Sequence, residues 1–120
     1  MTGARFVSLA AGGAYEVAPG AIARALFGER GMLNLVELEP GAEVARHSHP
    51  HEQLGLILSG SMTMVVGDKA HACGPMDAFV MPGGVEHSGT AGPGGATVLD
   101  VFVPVREDYR ERADVTRARP

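Results

Sequence analysis

The chain has 120 residues, a formal net charge of -4 and a single cysteine, Cys73. This length indicates one domain with a sizeable core, and an acidic balance without a basic cluster argues against a nucleic-acid partner. A lone cysteine excludes an internal disulfide framework and favours a reducing compartment. Because no leader-like N-terminal stretch or apolar run of about 18 residues is found, we expect a cytoplasmic protein with no membrane partner.

Many short apolar runs, separated by 17 glycines and 8 prolines, are typical of a chain of β-strands. We predict strands over 15–18, 22–27, 32–38, 54–58, 61–66, 69–73, 78–81 and 97–103. A further short strand is predicted at Phe6–Leu9, and a glycine-rich loop at Ala91–Gly95. No segment of useful length has the helical period. The sequence therefore predicts an all-β single domain, a small antiparallel barrel or jelly roll.

Three regions are expected within this domain. Residues 1–30 would form N-terminal strands that pair with a second subunit, residues 31–105 the barrel core, and residues 106–120 a charged C-terminal tail that begins as an exposed helical turn. Apolar N-terminal strands and exposed sheet edges favour a homodimer.

The stretch from Gly41 to Gly60 carries three of the five histidines of the chain. His47 and His49 are two residues apart, so on an extended strand their imidazoles leave the same face. Gln53 follows the turn at Pro50, and His87 lies beyond a Pro-Gly-Gly turn farther along the chain. Imidazole nitrogens and an amide oxygen suit a first-row divalent cation. His51 and Glu52, which lie between His49 and Gln53, are expected to be exposed or outside the ligand set.

Asp100 is a single carboxylate in the apolar strand 97–103. By alternation it shares a face with Val98 and Phe102. Because burial of an unpaired carboxylate is costly, Asp100 is expected to be exposed, paired or functional. Two interpretations stay open: Asp100 acts as a general acid or base beside Arg106, or the two residues form a structural ion pair at the rim of the barrel.

The spacing of these residues resembles the two motifs of the cupin superfamily over roughly Leu33 to Val103. The first motif is read in Gly41, His47, His49, Gln53 and Gly60, with glutamine in place of the usual glutamate, and the core of the second in Pro82, Gly84 and His87. The resemblance implies the cupin double-stranded β-helix. Met76 and Ala91 depart from the second motif, which normally has glycine and asparagine there.

Within the cupins, the segments HSHPHEQ, VEH and LDVFVPVREDY resemble the small KdgF-type pectin-degradation proteins. That resemblance implies a metal-dependent isomerase that opens the ring of 4,5-unsaturated uronates to linear keto-acids. It also implies one divalent metal ion, such as Ni, Zn, Fe or Mn, held by His47, His49, Gln53 and His87. Asp100 and Arg106 would be catalytic, with Phe102 and Arg106 binding the anionic substrate.

Other functions on the same barrel stay open at this point. Small cupins that this sequence resembles include polyketide cyclases, and several histidine ligands also suit an iron dioxygenase. A non-catalytic sugar-binding cupin would bind uronate without turnover. The fold does not decide among them.

Overall fold

Eight antiparallel strands form one continuous sheet that curls into a barrel. The computed structural model describes residues 3–118, with side chains as far as residue 114. The strands are β1 (Tyr15–Ala18), β2 (Ala21–Phe27), β3 (Met32–Leu38), β4 (Glu43–His47), β5 (Glu52–Val66), β6 (Lys69–Cys73), β7 (Ala78–Met81) and β8 (His87–Val103), followed by helix α1 (Glu107–Ala118). The all-β fold predicted from the sequence is confirmed.

Two long strands, β5 and β8, join the two halves of the barrel. The first half of β5 pairs with the second half of β8 and with β7, whereas its second half pairs with the start of β8 and with β6. β3 and β2 extend the first half, and β4 pairs with the start of β8. Each residue of these strands therefore faces either the interior of the barrel or its outer surface.

The predicted loop at Ala91–Gly95 is wrong, because β8 runs through it, and the two strands predicted over 54–58 and 61–66 are one strand, β5. The pairing of β5 with β8 shifts register on both sides of Ser59 and Gly60. Gly60 and Gly95 have φ angles of 74° and 76°, a region that side chains disfavour. A Cβ on Gly60 would lie 2.0 Å from the carbonyl oxygen of Gly95. These glycines bend the two strands together rather than ending them.

The core fills the barrel interior with alternate residues of the strands. In β3, Met32, Asn34, Val36 and Leu38 are buried while Leu33 and Leu35 are only partly so. The same alternation in β8 buries Val98, Asp100 and Phe102 on the inner face. The face-sharing predicted for Val98, Asp100 and Phe102 is thus observed, and two polar side chains, Asn34 and Asp100, lie inside the barrel.

The C-terminal region differs from the predicted exposed turn, because residues 107–118 form an α-helix packed on β1. Ala113 is buried and Tyr109 partly so, and these residues share a helical face at i and i+4. Glu107 and Asp108 lie in the first turn, where the helix dipole favours negative charge. The helix was missed because only one narrow stripe of it is apolar.

The N-terminal segment also differs from prediction, since a 3-10 turn at Leu9–Ala11 stands where a strand was expected to end, and Phe6 is 96% exposed. β1 and β2 extend the sheet of this same chain. Pairing of residues 1–30 with a second subunit stays a prediction. Among residues 3–118, no helix is long and apolar enough to cross a membrane.

Candidate metal centre

Three histidines converge at one end of the barrel. His47 is the last residue of β4 and His87 the first of β8, and the two are register partners. His49 lies in the loop after β4. One nitrogen from each imidazole lies within 4.8 Å of the others. The structure thus brings together all three histidines predicted as ligands.

Two loops must touch for this convergence. The carbonyl of His49 accepts a hydrogen bond of 2.8 Å from the Gly84 amide. A Cβ on Gly83 would lie 2.3 Å from the Pro50 carbonyl oxygen. The loop that carries His49 and Pro50 could therefore not approach a larger residue at position 83. The Pro-Gly-Gly turn positions the histidine-bearing segments.

Backbone carbonyls fix the tautomer of all three imidazoles. The Nδ1 atoms of His47, His49 and His87 lie 2.7, 3.1 and 2.8 Å from the carbonyl oxygens of Ala45, His51 and Val85. Since a carbonyl only accepts, each Nδ1 carries the proton, and each Nε2 of a neutral ring keeps its lone pair. The Nε2 of His87 is buried without a hydrogen-bond partner in the described part of the chain.

Gln53 supplies the fourth candidate ligand, from the second position of β5. Its Oε1 lies 3.1 Å from the Nε2 of His49, and its Nε2 donates a 3.0 Å hydrogen bond to Oδ1 of Asp100. This donation turns the amide oxygen toward His49. Two acceptors then face each other, an arrangement that a cation between them would stabilise. The orphaned His87 nitrogen and this acceptor pair fit a divalent metal ion.

Burial favours the neutral form of two of the three rings, His49 and His87. It lowers the pKa of both His49 and His87 below the usual histidine value, and the nearby charge of Arg106 lowers them further. Neutral imidazole is the metal-binding form.

Asp100 lies on the inner face of β8, and its side chain is buried. Burial raises the pKa of Asp100 to about 7, although the hydrogen bond from Gln53 and the charge of Arg106 both lower it. Asn34 is its register partner on β3 and points into the same cavity. The carboxyl of Asp100 is thus connected to the candidate metal ligands by the hydrogen bond that it accepts from Gln53.

Arg106 is buried, but it is not the ion-pair partner of Asp100 that one interpretation predicted. Its Nη2 and Nε lie 2.8 and 3.3 Å from the two carboxylate oxygens of Asp108. Its guanidinium also covers the rings of Tyr109, at 3.7 Å from the ring centre, and Phe102, at 5.1 Å. Helix α1, which the sequence did not reveal, supplies both Asp108 and Tyr109.

The cavity is lined by both polar and apolar side chains. Three of the four candidate ligands, His47, Gln53 and His87, line it together with Asp100 and Arg106. The apolar part of the lining includes Val36, Val44, Ile57, Met62, Met64, Val98 and Phe102. Asn34 and Tyr109 also line the cavity without having been predicted as site residues; the inward polar position of Asn34 in an apolar strand was the available signal.

Residues 34–102 match the sequence profile of the Cupin domain family. The chain belongs to the cupins. The match spans more than half of the protein and includes His47, His49, Gln53, His87 and Asp100. No curated protein sequence matches this cupin.

Several solved structures resemble this cupin. KdgF from Halomonas sp. is 28% identical, with a TM-score of 0.75, over 80% of this chain and 91% of that one. An RmlC-like cupin from Shewanella frigidimarina is 25% identical, with a TM-score of 0.81, over 88% and 96%. Oxalate decarboxylase from Bacillus subtilis, a protein with Mn(II) centres, is 25% identical with a TM-score of 0.74. The match covers 82% of this chain and 29% of the decarboxylase.

Proposed function

We propose that this cupin is a metal-dependent isomerase that opens the ring of 4,5-unsaturated uronates to linear keto-acids. The observation that carries the proposal is a group of three converging histidines, two of which line one cavity together with a buried carboxyl and a buried guanidinium. These are the groups needed to hold an oxygen substrate, move a proton and bind a carboxylate. The likeness to KdgF from Halomonas sp. supports this choice of reaction.

His47, His49, Gln53 and His87 would hold the metal, which could be Ni, Zn, Fe or Mn. Bound there, the metal would supply Lewis-acid stabilisation of negative charge that develops on substrate oxygens. The neutral amide of Gln53, in place of a carboxylate, leaves the full charge of the dication available to an anionic substrate.

Arg106 would bind the uronate carboxylate. Its guanidinium is held against two aromatic rings and Asp108, so it is oriented before substrate arrives. Phe102 is 2% exposed, and its ring lies edge-on to His49 with the centres 5.6 Å apart. This ring would form an apolar wall that orients the sugar between the histidines and Arg106.

Asp100 would transfer the proton. Its carboxylate accepts the proton of the anomeric hydroxyl as the bond from C1 to the ring oxygen breaks, giving an aldehyde and an enolate. The same carboxyl then returns the proton to C4, which converts the enolate to the keto-acid. One proton moves within the substrate, so the reaction needs no oxidant or reductant.

The test is turnover of 4,5-unsaturated galacturonate by metal-reconstituted protein, followed by NMR of the linear keto product. We expect Asp100→Asn, which preserves shape, to lose turnover while still binding metal, and Gln53→Ala to lose both. Asp68→Asn, in the exposed turn between β5 and β6, is the matched control and should retain turnover. Absence of turnover by wild type with a full metal site would overturn the proposal.

The apolar part of the cavity lining favours a second candidate, a cyclase acting on a polyketide-like substrate. Val36, Ile57 and Val98 offer no hydrogen bonds to sugar hydroxyls, but they would accept an apolar group. Binding of small aromatic β-diketones in preference to uronates would favour this function. Oxygen consumption would instead identify a dioxygenase, and uronate binding without turnover a sugar-binding module.

A further inference from the structure

Asn34 is a buried amide on the inner face of β3, and its side chain is 1% exposed. The other buried residues of this strand are apolar, namely Met32, Val36 and Leu38. Burying an amide costs free energy unless its donors and its acceptor find partners. The hydrogen bonds of Asn34 therefore indicate what the residue does inside the barrel.

The chain satisfies the oxygen of this amide but not its nitrogen. Tyr15 donates a hydrogen bond to Oδ1 of Asn34. Within the described residues, the Asn34 side chain makes no further hydrogen bond, and the Asp100 carboxylate beside it accepts from Gln53 instead. Because Asn34 lines the cavity, the two N–H donors of its Nδ2 are available to a molecule bound there.

Tyr15 orients the amide. It is buried in β1, and its ring lies 5.9 Å from the ring of Tyr109 on α1, measured between centres. Burial raises the pKa of Tyr15 above the usual tyrosine value, so the hydroxyl keeps its proton and remains a donor. With this hydroxyl on the Oδ1 side, Nδ2 of Asn34 points away from Tyr15.

The row of register partners that contains Asp100 shows what lies next to these donors. From β2 to β7 the row is Ala25, Asn34, Asp100, Gly55 and Phe79. A Cβ on Gly55 would lie 2.1 Å from the Phe79 ring, so that ring fills the space on the β5 side of Asp100. Directly opposed residues of adjacent strands have Cβ atoms about 4.5 to 5.5 Å apart. Asn34 therefore supplies this row with its amide donor, immediately beside Asp100.

We propose that Asn34 is a catalytic residue of the ring opening, in which Nδ2 donates a hydrogen bond to the ring oxygen as that oxygen becomes the enolate oxygen. This role rests on the function proposed above, where Asp100 takes the proton of the C1 hydroxyl and returns it to C4. The ring oxygen lies between those two positions, because it is bonded to C1 and to C5, the neighbour of C4. A donor beside Asp100 is therefore well placed for the atom on which negative charge develops.

Asn34 stabilises this charge without transferring a proton. When the bond from C1 to the ring oxygen breaks, its electron pair goes to that oxygen and is shared with C4 through C5. In the closed ring the same oxygen is a neutral ether, a weaker acceptor, so the hydrogen bond strengthens as the ring opens. An interaction that is stronger in the transition state than in the ground state raises kcat. Loss of Asn34 should therefore lower kcat more than it raises KM.

Turnover of 4,5-unsaturated galacturonate by metal-reconstituted Asn34→Ala tests this role. We expect kcat to fall roughly 100-fold, as for removal of one oxyanion donor, with KM and metal stoichiometry nearly unchanged. Tyr15→Phe keeps the amide but removes the group that orients it, and should lose roughly tenfold in kcat. Leu33→Ala, on the outward face of the same strand, is the matched control and should turn over like wild type.

Binding of galacturonate separates catalysis from simple recognition of the sugar. This sugar lacks the 4,5 double bond and cannot form the enolate. Its Kd, measured by calorimetry, should be the same for wild type and Asn34→Ala. If Asn34→Ala weakens galacturonate binding as much as it lowers kcat/KM, Asn34 binds ground state and transition state equally, and the catalytic role is wrong.

Circular dichroism of each variant verifies folding, because Asn34→Ala leaves the Tyr15 hydroxyl without its acceptor. If that variant does not fold, Tyr15→Phe with Asn34→Leu removes both partners together and leaves neither group unsatisfied. It should show the same loss of kcat. A folded variant with wild-type kcat would overturn the role of Asn34 and leave the isomerase proposal intact. No turnover by wild type with a full metal site would overturn the isomerase proposal and the role of Asn34 with it.

Discussion

The guanidinium carbon of Arg106 lies 3.7 Å from the centre of the Tyr109 ring. A cation over an aromatic face is attracted by the ring quadrupole, typically by about 0.5 to 2 kcal/mol. The ring therefore fixes where Arg106 presents its donors, although Tyr109 belongs to a helix outside the barrel. If Arg106 binds the substrate carboxylate, Tyr109 controls substrate affinity from outside the reacting centre.

Tyr109→Leu should raise KM for unsaturated galacturonate by roughly tenfold and lower kcat much less, since the lost stacking energy acts on a binding group. Tyr109→Phe keeps the ring and should restore wild-type KM. Steady-state kinetics of both variants is the measurement. Equal KM values for the leucine and phenylalanine variants would contradict a positioning role for the ring.

Asp108 predicts a pH-dependent contribution to stability. Partial burial acts to raise its pKa, but the hydrogen bond and charge of Arg106 outweigh burial and hold the pKa below its ordinary value. A carboxylate with a depressed pKa in the folded state stabilises the protein above its unfolded pKa of about 4. That stability is lost as the pH falls through the folded pKa.

Urea unfolding of wild type and Asp108→Asn between pH 7 and pH 3 measures this contribution. We expect the wild type to be the more stable at pH 7 and the difference to shrink as the pH falls below about 4. The effect should be modest because the Asp108 side chain is 49% exposed. A stability difference that is constant with pH would rule out this ion pair as its source.

Spacing in the sequence was enough to locate the candidate ligands. His47, His49 and Gln53 lie close together along the chain and His87 lies far downstream, and their positions are set by a turn at Pro50 and a strand pairing that the structure contains. Alternation in the strand 97–103 likewise grouped Asp100 with Val98 and Phe102, and the structure shows that this shared face is the inner one. Periodicity is a local property, so it predicted these orientations well.

The partner of Arg106 could not be read in the same way. Residues 107–118 are mostly charged, and their helix is held by a stripe through Tyr109 and Ala113 that packs against β1, over ninety residues earlier in the chain. A contact so distant in sequence leaves no local pattern. Similarly, the bend at Gly60 and Gly95 looks like a chain break in sequence because only the paired strands show that the glycines continue the sheet.

Met76 is the one non-glycine residue with positive φ in the part of the chain described, at 72°. It occupies the position where the second cupin motif usually has glycine. The left-handed conformation costs a residue with a Cβ about 1 to 2 kcal/mol, and Met76 is 75% exposed, so its side chain contributes little packing in return.

Met76→Gly should therefore be more stable than Met76→Ala by about 1 kcal/mol, after allowance for the greater freedom of glycine in the unfolded chain. The alanine variant is the proper reference, since it removes the side chain but keeps the Cβ. Chemical denaturation of the two proteins gives the difference. An alanine variant as stable as the glycine variant would show that the turn relaxes without cost.

Tyr15 connects β1 to the polar part of the interior, since its hydroxyl donates a hydrogen bond to Oδ1 of Asn34. Asn34 is only 1% exposed. Tyr15→Phe would leave that buried oxygen without this donor, and we expect a loss of about 1 to 3 kcal/mol in the free energy of unfolding. Tyr109→Phe removes a hydroxyl from the same aromatic cluster and serves as the control. A similar loss of stability in both variants would mean that the hydrogen bond from Tyr15 to Asn34 is not the cause of the loss.

Metal binding predicts a ligand-dependent gain in stability that distinguishes neighbouring histidines. A ligand that binds only the folded state at about one hundred times its Kd stabilises by about 2.7 kcal/mol. We expect addition of Ni²⁺ or Zn²⁺ to raise the thermal midpoint of wild type and EDTA to reverse the change. His87→Ala should abolish the response, since it removes one of the three converging imidazoles, whose buried Nε2 lacks a partner among the described residues.

His51→Ala is the matched control for this measurement. His51 lies two residues from His49, but the hydrogen bond between them uses only the backbone carbonyl of His51. That carbonyl accepts the hydrogen bond from the His49 Nδ1 and remains in the variant. The variant should therefore keep the metal-dependent shift, with a stoichiometry of one ion per chain by calorimetry. If His51→Ala loses as much of the response as His87→Ala, the ligand set centred on His47, His49 and His87 is wrong.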